Sequence, residues 1–204
     1  MPKRNKEFIL EVPGGETTVL LHTCCAPCSS AIIECMMKNG ITPVIYYCNP
    51  NIYPREEYEI RKNECTRYAE ALGLEIVDAD YDHENWLREV AGMENEPERG
   101  GRCLKCFKLR LLRTAQSAAE RGIKVISTTL ASSRWKSLDQ INEAGRWACA
   151  EIPPDDSVIW WDQNWRKGGL QERRLQILKE YDFYNQLYCG CEFSIRKDDQ
   201  NTGE

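Results

Sequence analysis

Val19-Leu20-Leu21-His22, running directly into Thr23-Cys24-Cys25-Ala26-Pro27-Cys28-Ser29-Ser30, is an apolar stretch of strand length that stops at a thiol-rich loop. Ala31, Ile32, Cys35 and Met36 follow at helical spacing, and Gly40 is a plausible helix stop. Pro43-Val44-Ile45-Tyr46-Tyr47 then supplies a second β-branched and aromatic run. Strand, loop, helix and strand in that order make a βαβ unit.

The pattern repeats outward from there. Pro54 with Glu56 and Glu57 suits a first helical turn, and Tyr58, Cys65, Tyr68, Ala69 and Leu72 share one face up to Gly73. Leu74-Glu75-Ile76-Val77 is a predicted third strand, and Glu84 to Ala91 a shorter helix. A turn-prone stretch with Pro97, Gly100 and Gly101 precedes a long helix from Cys103 to Glu120, closed by Gly122. Val125 to Thr129 is the fourth strand, Leu138 to Ala148 a helix, Val158-Ile159-Trp160 a fifth strand and Leu170 to Tyr181 a last helix. This alternation implies a single-domain α/β fold over residues 1–194, with a largely parallel, Rossmann-like sheet and helices on both faces. The tail 195–204 is expected to be disordered. Ligands of such sheets sit beyond the carboxyl ends of the strands, and the first cysteine cluster falls at one of them.

Eleven cysteines in 204 residues are many for a chain too long to need a disulfide framework, and the number is odd. The opening Met1-Pro2-Lys3-Arg4-Asn5-Lys6 carries no secretory pattern, so the expected location is a reducing cytoplasm. No window approaches the roughly 20 apolar residues a spanning helix needs, so no membrane partner is expected. A net charge of −5 argues weakly against general nucleic-acid affinity and leaves local patches to decide.

A phosphate-binding version of this fold would be glycine-rich after the first strand. Here thiols take that place, and thiolates are soft ligands that select iron-sulfur clusters, zinc or copper(I). In Arg102-Cys103-Leu104-Lys105-Cys106-Phe107-Lys108-Leu109-Arg110, positions i and i+3 put both sulfurs on one helical face, continued by Arg110 and Arg113. Alone, one such pair is equally a redox disulfide or a zinc half-site. Two groups on separate elements favour a four-thiolate site. From Arg99 to Arg113 six basic residues occur without an acidic one, either a solvated face or a phosphate-contacting patch. A third pair, Cys189-x-Cys191, lies near the C-terminus.

Cys35 and Cys65 sit on apolar faces and read as small buried hydrophobes. His22, ending a strand, reads as a satisfied core or loop histidine. In Asp80-Tyr81-Asp82-His83-Glu84, two carboxylates and an imidazole crowd a strand-to-helix loop, with helix capping by Asp82 as the alternative. Trp160, Trp161 and Trp165 are expected to be mostly buried rather than stacked on an RNA base.

Leu21-His22-Thr23-Cys24-Cys25-Ala26-Pro27-Cys28, the run Asn49 to Tyr58, Asp80-Tyr81-Asp82, the Arg102 to Arg110 segment, Thr128-Thr129-Leu130 and Tyr188-Cys189-Gly190-Cys191 resemble the cobalamin-independent epoxyqueuosine reductases. The resemblance covers nearly the whole chain and implies a HUP-type version of the sheet. It also implies reduction of epoxyqueuosine at the wobble position of tRNA to queuosine, the last step of that pathway, by an enzyme with a 4Fe-4S cluster. By position it makes Cys24, Cys25, Cys103 and Cys106 the cluster ligands and Cys189 with Cys191 a redox-active pair.

Turning an epoxide into an alkene needs electrons in pairs, a proton and removal of the oxygen, whereas such a cluster passes electrons singly. The Cys-x-Cys pair is therefore expected to relay a two-electron equivalent. The epoxide oxygen needs an electrophile, either a Lewis-acid metal or a positioned acid, and Cys28 with the carboxylate of Asp80 or Asp82 is a candidate site for an additional iron ion. Arg55, Arg61, Arg110, Arg134, Lys136 and Arg166 are candidates for tRNA phosphates, and Tyr53 for stacking on the modified base. The partners are then tRNA carrying epoxyqueuosine and an unidentified electron donor. Two alternatives stand beside this: a structural-zinc RNA-binding protein without catalysis, and a thiol or iron-sulfur electron carrier with no substrate pocket.

Overall fold

The computed structural model describes residues 8–195; the tail expected to be disordered lies, from residue 196 on, outside the described residues. Five strands, β1 (Thr18–Thr23), β2 (Thr42–Tyr47), β3 (Ile76–Asp78), β4 (Val125–Thr128) and β5 (Ile159–Trp160), form one sheet. Their order is β3-β2-β1-β4-β5, and every pairing is parallel. The helices are α1 (Ala26–Lys38), α2 (Arg55–Ala71), α3 (His83–Glu89), α4 (Gly101–Glu120), α5 (Leu138–Ala150) and α6 (Leu170–Glu180). α1 packs on α2 and α6, and α4 packs on α5. Right-handed crossovers put those two groups on opposite faces of the sheet, which is the Rossmann-like arrangement the alternation implied. Among the described residues, no helix is long and apolar enough to cross a membrane.

β1 is central, and Val19, Leu20 and Leu21 are wholly buried, as a strand covered on both faces requires. In register, Leu20 lies between Val44 of β2 and Ile126 of β4. On α2 the buried stripe is Tyr58, Arg61, Cys65 and Tyr68, so the helical period carries an arginine into the interior. Gly145 of α5 lies against the Trp160 indole of β5, where a Cβ would come within 2.2 Å of the ring. The predicted third strand begins two residues early. Leu74 N–H bonds back to the Ala69 carbonyl of α2 at 2.9 Å, so Gly73 and Leu74 complete the helix cap before pairing starts.

α1 begins at the cysteine loop: Cys25 is extended and Pro27 occupies the first turn, where its missing N–H costs nothing. The strand order reverses between β1 and β4. The loops leaving those two strands diverge, and the crevice between them is where this architecture places its ligands.

Candidate metal and redox centre

Three strand ends are tied together beneath the crevice. The His22 imidazole bonds Thr128 Oγ1 at 2.7 Å and the Cys48 carbonyl at 3.0 Å, and Asn49 Nδ2 donates to the Thr23 carbonyl at 2.8 Å. Burial first, and the charge of Arg110 second, push the His22 pKa down to about 3, so the ring stays neutral. It is the satisfied core histidine expected of its position. Cys24 N–H donates to Thr129 Oγ1 at 3.4 Å, linking the cysteine loop to the turn after β4.

Cys24, Cys25 and Cys28 bring their sulfurs within 4.8 Å of one another at the start of α1. The hydrogen bonds from Cys25 and then Cys28 hold Cys24 well below the ordinary thiol range, against burial. Burial, followed by the same contacts, holds Cys25 far up, and Cys28 is pushed up to about 12, chiefly by its hydrogen bond with Cys24. Of the three sulfurs, Cys24 is the one whose thiolate form is favoured, beside the positive end of a helix. Gln186 Nε2 donates to Cys25 Sγ at 2.8 Å.

The second pair rides on the first turns of α4. Cys103 Sγ accepts the Arg99 N–H at 3.3 Å, and Cys106 is buried in a small apolar cluster with Trp86, Val90 and Cys191. The third pair sits on a C-terminal strap. Arg61 donates to the carbonyls of Tyr188 and Cys189 at 3.2 and 3.3 Å and is held by Glu57 at 2.6 Å. The Gly190 carbonyl accepts the Tyr53 N–H at 2.8 Å. Cys189 is exposed and Cys191 buried, and burial pushes the Cys191 thiol up to about 12. Cys24, Cys28, Cys103, Cys106, Cys189 and Cys191 all line one cavity of about 660 Å³.

The cavity's charge is positive where the thiols are. Arg110 is buried, bonding the Cys48 carbonyl at 3.3 Å and Asn49 Oδ1. Burial would lower the pKa of Lys136, but attraction to the nearby cysteine sulfurs, that of Cys24 among them, outweighs it and holds the ammonium above the usual lysine range.

The other sequence candidates fall unevenly. Arg134 and Lys136 line the cavity. Arg61 and Arg110 line it as well, but their guanidiniums are spent on internal acceptors, as is Arg166 on the Ser133 and Lys136 carbonyls at 2.6 and 2.8 Å. These internal acceptors, invisible in a count of cations, occupy all three, and Arg61 and Arg110 are buried as well. Asp80 and Asp82 are exposed and lie outside the cavity wall, so the structure does not bring either carboxylate to Cys28. The acidic residue in that wall is Glu98. Asp82 occupies the N-cap of α3 without a side-chain cap bond. Tyr53 and Arg55 also lie outside the wall, Tyr53 stacked on His83 with ring centroids 5.5 Å apart and Arg55 over the Tyr81 ring. His83 pins the strap, contacting the Pro50 carbonyl at 2.7 Å and Glu192 Oε1 at 3.1 Å. Cys35 and Cys65 are buried, as are Trp161 and Trp165.

Sequence inspection passed over Gln186, Trp86 and Trp135, which line the cavity with no motif to mark them. The donor set suits a soft metal or an iron-sulfur cluster. Asn51 Oδ1, Trp86 Nε1, Gln140 Oε1 and Gln186 Oε1 are buried without a hydrogen-bond partner, all on residues of the same wall. The Trp86 N–H, beside Cys106 and Cys191, suits a donor to metal-bound sulfur.

Fold and site together define a Rossmann-like protein that carries, in the loop after its first strand and at the topological switch point, a group of cysteines able to hold a metal. Residues 19–197 match the family described as Epoxyqueuosine reductase QueH, and the chain belongs to that family of oxidoreductases. Proteins named Epoxyqueuosine reductase QueH from Histophilus somni and Haemophilus influenzae are 49% and 47% identical to it over 187 and 195 residues, covering 92% and 94% of this chain and 76% and 78% of theirs. One from Acinetobacter baylyi is 46% identical over 187 residues, 92% of this chain and 84% of its own.

Proposed function

We propose that this protein reduces epoxyqueuosine at the wobble position of tRNA to queuosine, in the cytoplasm, using a 4Fe-4S cluster held by Cys24, Cys25, Cys103 and Cys106. The observation that carries the proposal is the convergence of six cysteines from three distant segments on one cavity at the switch point, three of the proposed ligands among them; the fourth, Cys25, is buried behind the wall with its sulfur 3.8 Å from that of Cys24. When bound, the cluster supplies electrons one at a time from an external donor.

Removing an epoxide oxygen consumes an electron pair and a pair of protons and releases water. We assign the exposed Cys189 to meet substrate and the buried Cys191 to complete the redox pair, both being in the cavity wall. Together they hold an electron pair and two protons as the dithiol, give them up to the epoxide, and are left as a disulfide that the external donor must reduce again. Lys136 stays charged in the wall and stabilises negative charge on the oxygen as the carbon-oxygen bond breaks. Arg110 holds the β2 end in place under the thiols through Cys48 and Asn49. Cys28 is the thiol left for an additional iron ion.

The test is anaerobic purification with iron, sulfide and zinc measured, then incubation with epoxyqueuosine tRNA and a strong reductant and mass spectrometry of the nucleosides. Brown protein with about four irons per chain that forms queuosine is the expected result. Colourless, zinc-loaded protein that leaves the epoxide intact would refute it in favour of a structural-zinc RNA-binding protein.

A further inference from the structure

The cavity wall contributed by Ser133, Arg134, Trp135 and Lys136, between the turn after β4 and α5, is held in an unusual way. All four backbone carbonyls accept hydrogen bonds from arginine side chains. Arg166 Nη2 takes those of Ser133 and Lys136 at 2.6 and 2.8 Å, and Arg99 takes those of Arg134 and Trp135, each at 2.9 Å. Arg99 is itself fixed: its carbonyl accepts Gln140 Nε2 at 2.8 Å, its N–H meets Cys103 Sγ, and its backbone is left-handed at φ 67°.

A loop clamped by charge-assisted bonds presents its side chains in a set orientation. What it presents is Trp135, 77% exposed although indoles are usually largely covered. Its sequence neighbours are an exposed Arg134 and the charged Lys136. An indole held in water among cations, at the mouth of a site for a modified nucleoside, has the chemistry of a single-stranded RNA platform: the ring offers a stacking face and the cations suit phosphate. A protein-docking patch would instead surround the indole with apolar side chains.

We propose that Trp135 stacks on a nucleobase adjacent to the target nucleotide in the anticodon loop, with Arg134 meeting the neighbouring phosphate. This rests on the tRNA substrate proposed above. The clamp by Arg99 and Arg166 pre-positions the indole, so little order is gained on binding. Arg99 also touches Cys103, which connects the platform directly to the thiol site.

The test uses the anaerobically purified holoprotein and a fluorescein-labelled anticodon stem-loop RNA carrying epoxyqueuosine, titrated by anisotropy at several salt concentrations. Trp135→Ala is expected to bind about 10- to 100-fold more weakly, with the salt slope and iron content of the parent; Trp135→Phe, which keeps a stacking face, recovers most of the loss. Arg134→Gln is expected to lower the salt slope by about one. Iodide quenching of the Trp135 emission, taken as the difference between parent and Trp135→Phe, falls when the RNA binds. A Trp135→Ala protein that binds as tightly as the parent, or a Trp135 equally quenchable in the complex, overturns the assignment while leaving the reductase proposal standing. A parent protein without affinity for the stem-loop overturns both.

Discussion

Replacing Gly190 with alanine should expose Cys191. Gly190 has φ +106°, which L side chains rarely adopt, and a Cβ there would stand 2.9 Å from Ile52 Cγ1 and 3.1 Å from Arg61 Nη1. Arg61 cannot yield easily, since Glu57 and the Tyr188 and Cys189 carbonyls hold it. Strain of this kind costs about 1–3 kcal/mol. The strap relieves it by lifting from the Ile52 to Pro54 segment, breaking the bond from Tyr53 N–H to the Gly190 carbonyl. At 1.4 kcal/mol per tenfold, the opening equilibrium rises about 5- to 150-fold. Cys191 is 7% exposed, so reagent reaches it only through opening, whereas Cys189 is already exposed. The assay is an anaerobic iodoacetamide pulse with peptide mass spectrometry. Cys191 labelling should accelerate by that factor while Cys189 labelling changes little, and Tm should fall by no more than about 10 °C. Parent-like protection of Cys191 would refute the idea that the strap alone keeps this thiol buried.

Arg61→Met should destabilise the fold by about 3–5 kcal/mol, because it strands the buried Glu57 carboxylate, and Glu57→Gln in the same chain should recover part of the loss; urea denaturation checks this, and equal costs for single and double variants would contradict it. Cys103→Ala should lose iron and visible absorbance, whereas Cys35→Ala, on the apolar face of α1, should retain both; full iron in Cys103→Ala would remove Cys103 from the cluster. Lys136→Ala should lower single-turnover kcat by about 10²-fold with iron content intact, and Lys136→Arg should restore part of it; an unchanged kcat in the alanine variant would exclude a role in stabilising the oxygen.

The fold was legible because its signals are local. The change from a continuous apolar run at Val19 to helical spacing at Ala31, punctuated by Pro27 and Gly40, is written within one βαβ unit. Where local signals compete the boundary moved, as at Leu74, whose apolar side chain reads as strand while its backbone closes the α2 cap. The thiols were legible for the same reason. Cys24, Cys25 and Cys28 surround one helix start, and Cys103 and Cys106 are one helical turn apart.

The arginines were not legible, because a guanidinium's role depends on which acceptors arrive from far along the chain. Arg61 meets a strap 127 residues away, Arg110 meets Asn49 from 61 residues away, and Arg166 meets Ser133 from 33. Each is consumed by the interior that it helps to build. The exposure of Trp135 follows from the same contacts, since composition favours burying tryptophan and the clamp by Arg99 and Arg166 helps to hold its backbone at the cavity wall. A chain of net charge −5 therefore surrounds its thiols with cations by folding, without being basic overall. Internal arginines shape the loops and favour thiolate nearby, which leaves Arg134 and Lys136 as the cations of the 133–136 loop free to face an anionic substrate. Affinity for RNA here should accordingly depend on few charges and on one stacked ring, and its salt dependence should be shallower than a count of basic residues from Arg99 to Arg113 would suggest.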